Sequence, residues 1–92
     1  AGVPDLLGYN KSGHFFTVEL KVTRRNSVTF SPHQIAFHVR HPHNSFILVK
    51  ALDPWALKLV PGTRVQELFK EGFACAVDHD TWTTILARLS AC

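Results

Sequence analysis

The chain has 92 residues, of which 46% are hydrophobic and 18% charged, a composition that is typical of one small globular domain and excludes a disordered chain. The longest apolar runs, such as Ala74–Val77 and Phe46–Val49, are far too short to cross a bilayer, and no secretory signal opens the sequence. We therefore expect a single domain over residues 1–92 of an intracellular protein with no membrane contact, in which Cys75 and Cys92 are reduced thiols.

The net charge of +3 is unevenly distributed along the chain. Residues 1–50 carry six Lys or Arg side chains against two acids, Asp5 and Glu19, which is a balance of +4. Residues 51–92 carry four Lys or Arg against five acids, a balance of −1. A basic half with so few acids indicates a polyanionic partner.

The first predicted strand covers residues 1–7 and has three apolar members, Val3, Leu6 and Leu7. The following segment, Gly8–Gly13, is rich in turn residues and predicts a hairpin centred near Ser12. Asp5 and Glu19 are each seven residues from Ser12, so this hairpin places the two carboxylates opposite each other.

The second predicted strand, His14–Val22, is rich in β-branched and aromatic residues and should lie centrally in the sheet. Successive side chains of a strand point to opposite faces. One face would be polar and functional, with Thr17, Glu19 and Lys21. The other face would belong to the core, with Phe16, Val18, Leu20 and Val22.

Two carboxylates and an ammonium would then converge on one spot. Hard divalent cations prefer oxygen ligands, and Mg²⁺ is usually held by one or two carboxylates with water and phosphate oxygens. We expect Asp5, Glu19 and the Leu20 carbonyl to bind Mg²⁺ or Mn²⁺, and Lys21 to act on the attacking water or on charge at the phosphate. The alternative is that Glu19 and Lys21 form a surface pair without catalytic use.

The segment 23–30 is predicted to be a polar loop that follows this site. Arg24 and Arg25 lie where phosphates would pass, and guanidinium groups bind phosphate in a bidentate manner. The alternative is a solvated basic loop.

A helix is predicted from Pro32 to Arg40. Ser31 at the N-cap, proline at the first helical position and Gln34 three residues after the cap form a capping box. The start of a helix also attracts anions, so Gln34 can serve both the cap and the site. Pro42 ends the helix.

The rest of the chain reads as two strands and two helices that pack the fold. Ser45–Ala51 is an apolar strand suited to burial on both faces, and Trp55–Val60 is an edge strand closed by a Pro-Gly pair. Gly62 or Thr63 would cap a short helix that ends at Gly72. Asp80 would cap a last helix whose predicted core positions are Trp82, Ile85, Leu86 and Leu89.

The pair Pro4-Asp5, followed by Glu19-Leu20-Lys21, resembles the signature of the PD-(D/E)xK nuclease superfamily. Ser31-Pro32-His33-Gln34 is similar to the Ser-x-x-Gln element that opens the corresponding helix in VRR-NUC domains and Holliday-junction resolvases. The resemblance implies an α/β (α+β) fold, a mixed sheet flanked by helices. A helix and a strand normally precede the Pro-Asp pair in this superfamily, so we expect that the chain is a fragment, that another chain supplies those elements, or that the fold is pared down.

The resemblance also implies a function, Mg²⁺- or Mn²⁺-dependent endonucleolytic cleavage of DNA, with a leaning toward branched or junction DNA and a homodimer. Asp5, Glu19, Lys21 and Gln34 would be catalytic, with Asp5, Glu19 and Leu20 as metal ligands. Six residues are expected to contact DNA: Lys11, Arg24, Arg25, Ser31, His33 and Arg40.

Three alternatives stay open at this point. The chain could be a restriction-like or mobile-element endonuclease, or a non-catalytic DNA-binding module that keeps the fold. It could also bind zinc through the histidines of its middle segment, His33, His38, His41 and His43. Structural zinc sites usually include cysteine, and none is near, so we expect these histidines to add positive charge to a phosphate-facing surface or to cover the helix end.

Overall fold

Four strands form one mixed sheet in the computed structural model, which describes residues 4–92. They are β1 (Leu6–Tyr9), β2 (Phe15–Thr23), β3 (Ser45–Leu52) and β4 (Trp55–Pro61), in this order across the sheet. The pairs β1–β2 and β3–β4 are antiparallel, and the central pair β2–β3 is parallel.

Three helices complete the part of the chain that the structure describes. They are α1 (Pro32–Arg40), α2 (Val65–Glu71) and α3 (Trp82–Ala91), with short 3₁₀ turns at Gly62–Arg64 and Gly72–Ala74. Because parallel strands need a crossover connection, α1 lies between β2 and β3 in the chain. The molecule is a small α+β domain, and the predicted order of hairpin, helix, two strands and helices is confirmed.

The predicted hairpin is also confirmed, because Leu6 pairs with Val18 and Tyr9 with Phe15, which centres the turn on Ser12. The bounds of the first strand differ from the prediction: β1 begins after Pro4-Asp5 and continues to Tyr9, while Val3 lies outside the described residues. The turn is tighter than predicted, since it closes with a hydrogen bond from the Gly13 amide to the Asn10 carbonyl. Gly13 has φ +81°, a value that glycine adopts without strain.

The two faces of the sheet are covered by different helices. The face of Thr17, Glu19 and Lys21, here the α1 face, packs against α1 and α2. Its core cluster includes Ile47, Val49, Val60, Val65 and Leu68. The opposite face, here the α3 face, packs against α3, and its core cluster consists of Phe46, Leu57, Leu59 and Ile85.

The prediction that the apolar side of β2 belongs to the core is wrong for half of its members. Val18 is buried, but Leu20 is 47% exposed and Val22 is 62% exposed. The reason is that α3 packs near the Phe16 end of this strand and leaves its other end open. In contrast, Glu19 on the polar side is only 3% exposed, because the α1 face is the covered one.

The helix ends show which predicted caps the chain uses. The bounds and the capping box of α1 are as predicted. The prediction of a Gly62 or Thr63 cap is wrong, since both residues lie in the 3₁₀ turn and α2 follows without a side-chain cap. Gly72 ends α2 as predicted, with φ +71°.

The last helix also differs from its prediction at two points. Thr81, not Asp80, caps α3. Asp80 instead accepts a hydrogen bond of 2.7 Å from the Leu59 amide, which ties the start of α3 to β4. Trp82 and Leu86, which were predicted to be core residues, are 55% and 63% exposed, because α3 buries only the side that carries Ile85.

The strands β3 and β4 follow their predicted positions, and each is one residue longer at its end. Both cysteines are free thiols. Within residues 4–92, no helix combines the length and the apolar character that crossing a membrane requires.

Candidate active site

Asp5 and Glu19 meet at the open end of the β1–β2 hairpin. Asp5 directly precedes β1, and the register of the hairpin places it opposite Glu19. The Leu20 amide donates a hydrogen bond of 2.8 Å to Asp5 Oδ2, which fixes the aspartate against β2. Asp5 is exposed, whereas Glu19 is buried below it.

The two facing carboxyl groups differ strongly in their pKa values. Burial raises the pKa of Glu19 to about 7, and the hydrogen bond with Asp5 and its negative charge add to the increase. The pKa of Asp5 is lowered, first by the Leu20 amide and then by the hydrogen bond with Glu19. The first proton that the pair takes up as the pH falls is therefore held mainly by Glu19.

The Lys21 ammonium lies on the same face and is held by two groups. Its Nζ donates a hydrogen bond of 2.9 Å to Gln34 Oε1 and stands 4.7 Å above the centre of the Phe30 ring. Its positive charge opposes the rise in the pKa of Glu19. The sequence pattern did not identify Phe30 as part of the site, although an aromatic residue directly before a helix cap is a visible signal for packing at a helix start.

Gln34 joins the helix cap to the site through one oxygen atom. Gln34 Oε1 accepts a hydrogen bond of 3.0 Å from the Ser31 amide as well as the one from Lys21. In return, the Gln34 amide donates a hydrogen bond of 3.2 Å to Ser31 Oγ. The first turn of α1 thus positions the lysine.

The Leu20 carbonyl is the third oxygen that the sequence assigns to a metal. The Leu20 amide points toward Asp5, so the carbonyl of the same residue also points to the β1 side of the strand. Extension of the hairpin register puts Pro4 opposite Leu20, and proline has no N–H to donate to that carbonyl. The oxygen is therefore available beside the two carboxyl groups.

The structure brings some of the predicted DNA-contacting residues to this site and not others. Arg24 and Arg25 are exposed in the loop that follows β2, and Ser31 and His33 lie in the first turn of α1. Arg40 lies at the opposite end of α1, about 12 Å along the helix axis. Lys11 lies in the turn at the far end of the hairpin.

The histidines of the middle segment have different environments. His33, His41 and His43 are exposed. His38 is 1% exposed and its Nδ1 lies 3.2 Å from Ser45 Oγ, so the prediction that it adds charge to the surface or covers the helix end is wrong. Burial, and then the nearby charge of Lys21, lowers the pKa of His38. Among residues 4–92 no three His, Cys, Asp or Glu side chains come together as a metal-binding group.

Comparisons of the chain with protein-family models, with curated proteins and with solved structures gave no match. The chemistry of the site is therefore inferred from the residues of this chain alone. These residues provide two adjacent carboxyl groups of different acidity, a backbone oxygen and a positioned ammonium.

Proposed function

We propose that this chain is a divalent-metal-dependent DNA endonuclease with the active-site arrangement of the PD-(D/E)xK nucleases. The observation that carries the proposal is the facing pair of Asp5 and Glu19, placed by the hairpin register and the Leu20 amide, with the Lys21 ammonium on the same face. Hydrolysis of a phosphodiester requires neutralisation of phosphate charge and a positioned water molecule. Carboxylates that bind a cation, together with a fixed ammonium, meet both requirements.

The carboxyl pair fits a hard divalent cation such as Mg²⁺ or Mn²⁺. Two adjacent carboxylates repel each other when both are ionised, which contributes to the raised pKa of Glu19, and a cation would remove that repulsion. Asp5, Glu19 and the Leu20 carbonyl would hold the ion, with its other positions left to water and phosphate oxygens. The bound ion would supply Lewis-acid activation.

Lys21 is the group that would act on the substrate directly. An ammonium has three N–H donors, and Gln34 engages one of them, so two remain for a phosphate oxygen or the attacking water. Gln34 and Phe30 are positioning residues, because they fix the ammonium without reaching the substrate themselves.

The DNA strand would pass over the start of α1 and the loop that precedes it. Arg24 and Arg25 are exposed there and carry two positive charges without a nearby salt bridge within the described residues. Branched or junction DNA is the proposed substrate, with a homodimer placing one site on each of two strands. A restriction-like or mobile-element endonuclease is the other enzymatic form of the same proposal.

Cleavage assays on three DNA substrates test the proposal. The purified chain would be incubated with a labelled four-way junction, a linear duplex and a single strand, each in Mg²⁺ and in EDTA. Lys21→Ala and its matched control Lys70→Ala, at an exposed position of α2, would be assayed in parallel. We expect cutting only in Mg²⁺, and a loss of at least about a hundredfold in Lys21→Ala but not in Lys70→Ala.

Two results would count against this function. Cutting that Lys21→Ala leaves unchanged would exclude the proposed site. Tight, salt-sensitive DNA binding that is the same in Mg²⁺ and EDTA, with no cutting of any substrate, would instead identify a non-catalytic DNA-binding module.

A further inference from the structure

Three exposed apolar side chains continue the α1 face from the carboxyl pair along the hairpin. Leu7, Tyr9 and Phe15 are 71%, 64% and 63% exposed. Tyr9 pairs with Phe15, Leu7 pairs with Thr17, and Asp5 stands opposite Glu19, so all of them project from the same face as the candidate site.

This part of the face is open because α1 covers the other strands. Gln34 contacts Lys21 of β2, and His38 contacts Ser45 of β3, so the helix lies over the central strands and not over β1. The rings of Tyr9 and Phe15 pack edge to face, with centroids 4.8 Å apart. Each ring therefore supports the other while both stay accessible.

The spacing and the charges of this surface suit a nucleic-acid strand. Asp5 and Tyr9 are four residues apart, about 13 Å along a strand, which is roughly four nucleotide steps of stacked DNA. Lys11 is exposed in the turn just beyond Tyr9, and among residues 4–50 the acidic side chains are only Asp5 and Glu19. A polyanion with flat, apolar bases complements an aromatic pair that has a cation at its far end.

We propose that Leu7, Tyr9 and Phe15 form a base-stacking surface that selects DNA with unpaired nucleotides next to the phosphate to be cut. The rings of Tyr9 and Phe15 would stack on bases that a fully paired duplex keeps inside its helix, and Lys11 would contact a phosphate beyond them. The position of the cut rests on the function proposed above, whereas the stacking surface stands on its own geometry. The substrate class is therefore a single strand, or a branched DNA with a single-stranded arm.

Binding in EDTA tests the stacking surface without any requirement for cleavage. Fluorescence anisotropy would measure the affinity of a labelled single-stranded oligonucleotide for the wild-type chain, Tyr9→Leu, Phe15→Leu and Tyr9→Phe. Trp55→Leu is the matched control, since Trp55 is 55% exposed on β4, at the edge of the sheet opposite β1. Circular dichroism would verify folding of each variant.

We expect Tyr9→Leu and Phe15→Leu each to weaken binding of the single strand about tenfold, because leucine keeps the apolar surface and removes the ring. Tyr9→Phe and the Trp55→Leu control should bind like the wild-type chain. Equal binding by all variants, or an equal loss in the control, would overturn the inference. A wild-type dimer that Tyr9→Leu converts to a monomer in light scattering, with DNA binding intact, would also overturn it and identify the surface as a protein interface.

Cleavage then separates this inference from the proposed nuclease function. If the chain cuts DNA, the two leucine variants should lose activity on a duplex with a single-stranded arm and not on a blunt duplex. If the chain cuts nothing while the binding losses appear, the stacking surface stands and the nuclease function fails. If it cuts both substrates equally in all variants, the nuclease function stands and the stacking surface fails.

Discussion

Glu19 is the residue whose environment departs most from that of an ordinary surface acid. Its pKa is about 7 in the folded chain against 4.5 for a free glutamate. The folded state binds this proton more tightly than the unfolded state does. The free energy of unfolding therefore falls as the pH rises from about 4.5 to about 7. The metal-free protein should therefore lose stability over this range, first because the Glu19 carboxyl is buried and then because Asp5 lies beside it.

Replacing Glu19 by glutamine should remove this loss of stability. We expect Glu19→Gln to be more stable than the metal-free wild-type chain at pH 8 by about 1 to 3 kcal/mol, because no buried charge forms. The difference should disappear near pH 4.5, where glutamate is protonated in the folded chain. Urea unfolding in EDTA across this pH range measures it.

Glu71→Gln is the control for this prediction, since Glu71 is exposed at the end of α2. It should change stability little at any pH. A Glu19→Gln variant that is less stable than the wild-type chain at pH 8 would show that the ionised carboxylate is well accommodated without a cation.

At the scale of elements, α1 and α3 start with the same kind of cap but only α1 contacts the site. Ser31 Oγ accepts from the Gln34 amide, and Thr81 Oγ1 accepts from the Thr84 amide, both at 3.2 Å. The first cap fixes Gln34 and through it Lys21. The second cap fixes Asp80 and β4 instead.

The two caps therefore allow a matched pair of substitutions. Ser31→Ala and Thr81→Ala should each destabilise the chain by about 1 kcal/mol, as cap removal usually does. Under the proposed nuclease function, only Ser31→Ala should also lower the cleavage rate, by about tenfold, because a small displacement of Lys21 would reduce catalysis. Thermal unfolding and the junction cleavage assay measure the two effects, and equal activity of both variants would disprove the link between cap and site.

The two helix starts also differ in whether neighbouring residues in the sequence are enough to predict them. The bounds of α1 follow from its sequence because the cap, the proline and the N3 glutamine are all within four residues of one another. The cap of α3 does not follow from its sequence. Asp80, the predicted cap, accepts its hydrogen bond from the Leu59 amide, 21 residues earlier in the chain, and Thr81 caps the helix instead. The hairpin that brings Asp5 to Glu19 was predictable because turn residues and symmetry about Ser12 specify its register.

For the whole molecule, alternation along a strand separates two faces but does not tell which one the helices cover. That is why the exposure of Leu20 and Val22 and the burial of Glu19 were not predictable from β2 alone. The contact of Phe30 with Lys21 also depends on how the loop folds back over the sheet.

Lys58 is a buried lysine whose ammonium has a structural role, because it binds backbone carbonyls. It is 4% exposed, and its Nζ donates to the carbonyls of Phe73 and Cys75 and lies over the Phe73 ring. Lys58→Met should cost about 1 to 3 kcal/mol, because these carbonyls lose their donor. Lys50→Met, at a half-buried position of β3, should cost less, and urea unfolding compares the two. Equal costs would show that the carbonyl contacts contribute nothing.

Cation binding by the carboxyl pair is the central claim, and isothermal titration calorimetry with Mn²⁺ tests it most directly. Titrations at pH 6 in two buffers of different ionisation enthalpy count the protons released. With the pKa of Glu19 at about 7, binding at pH 6 should release close to one proton, at pH 8.5 almost none, and Glu19→Gln should bind much more weakly. Binding without proton release at pH 6, or equal affinity in Glu19→Gln, would contradict the account.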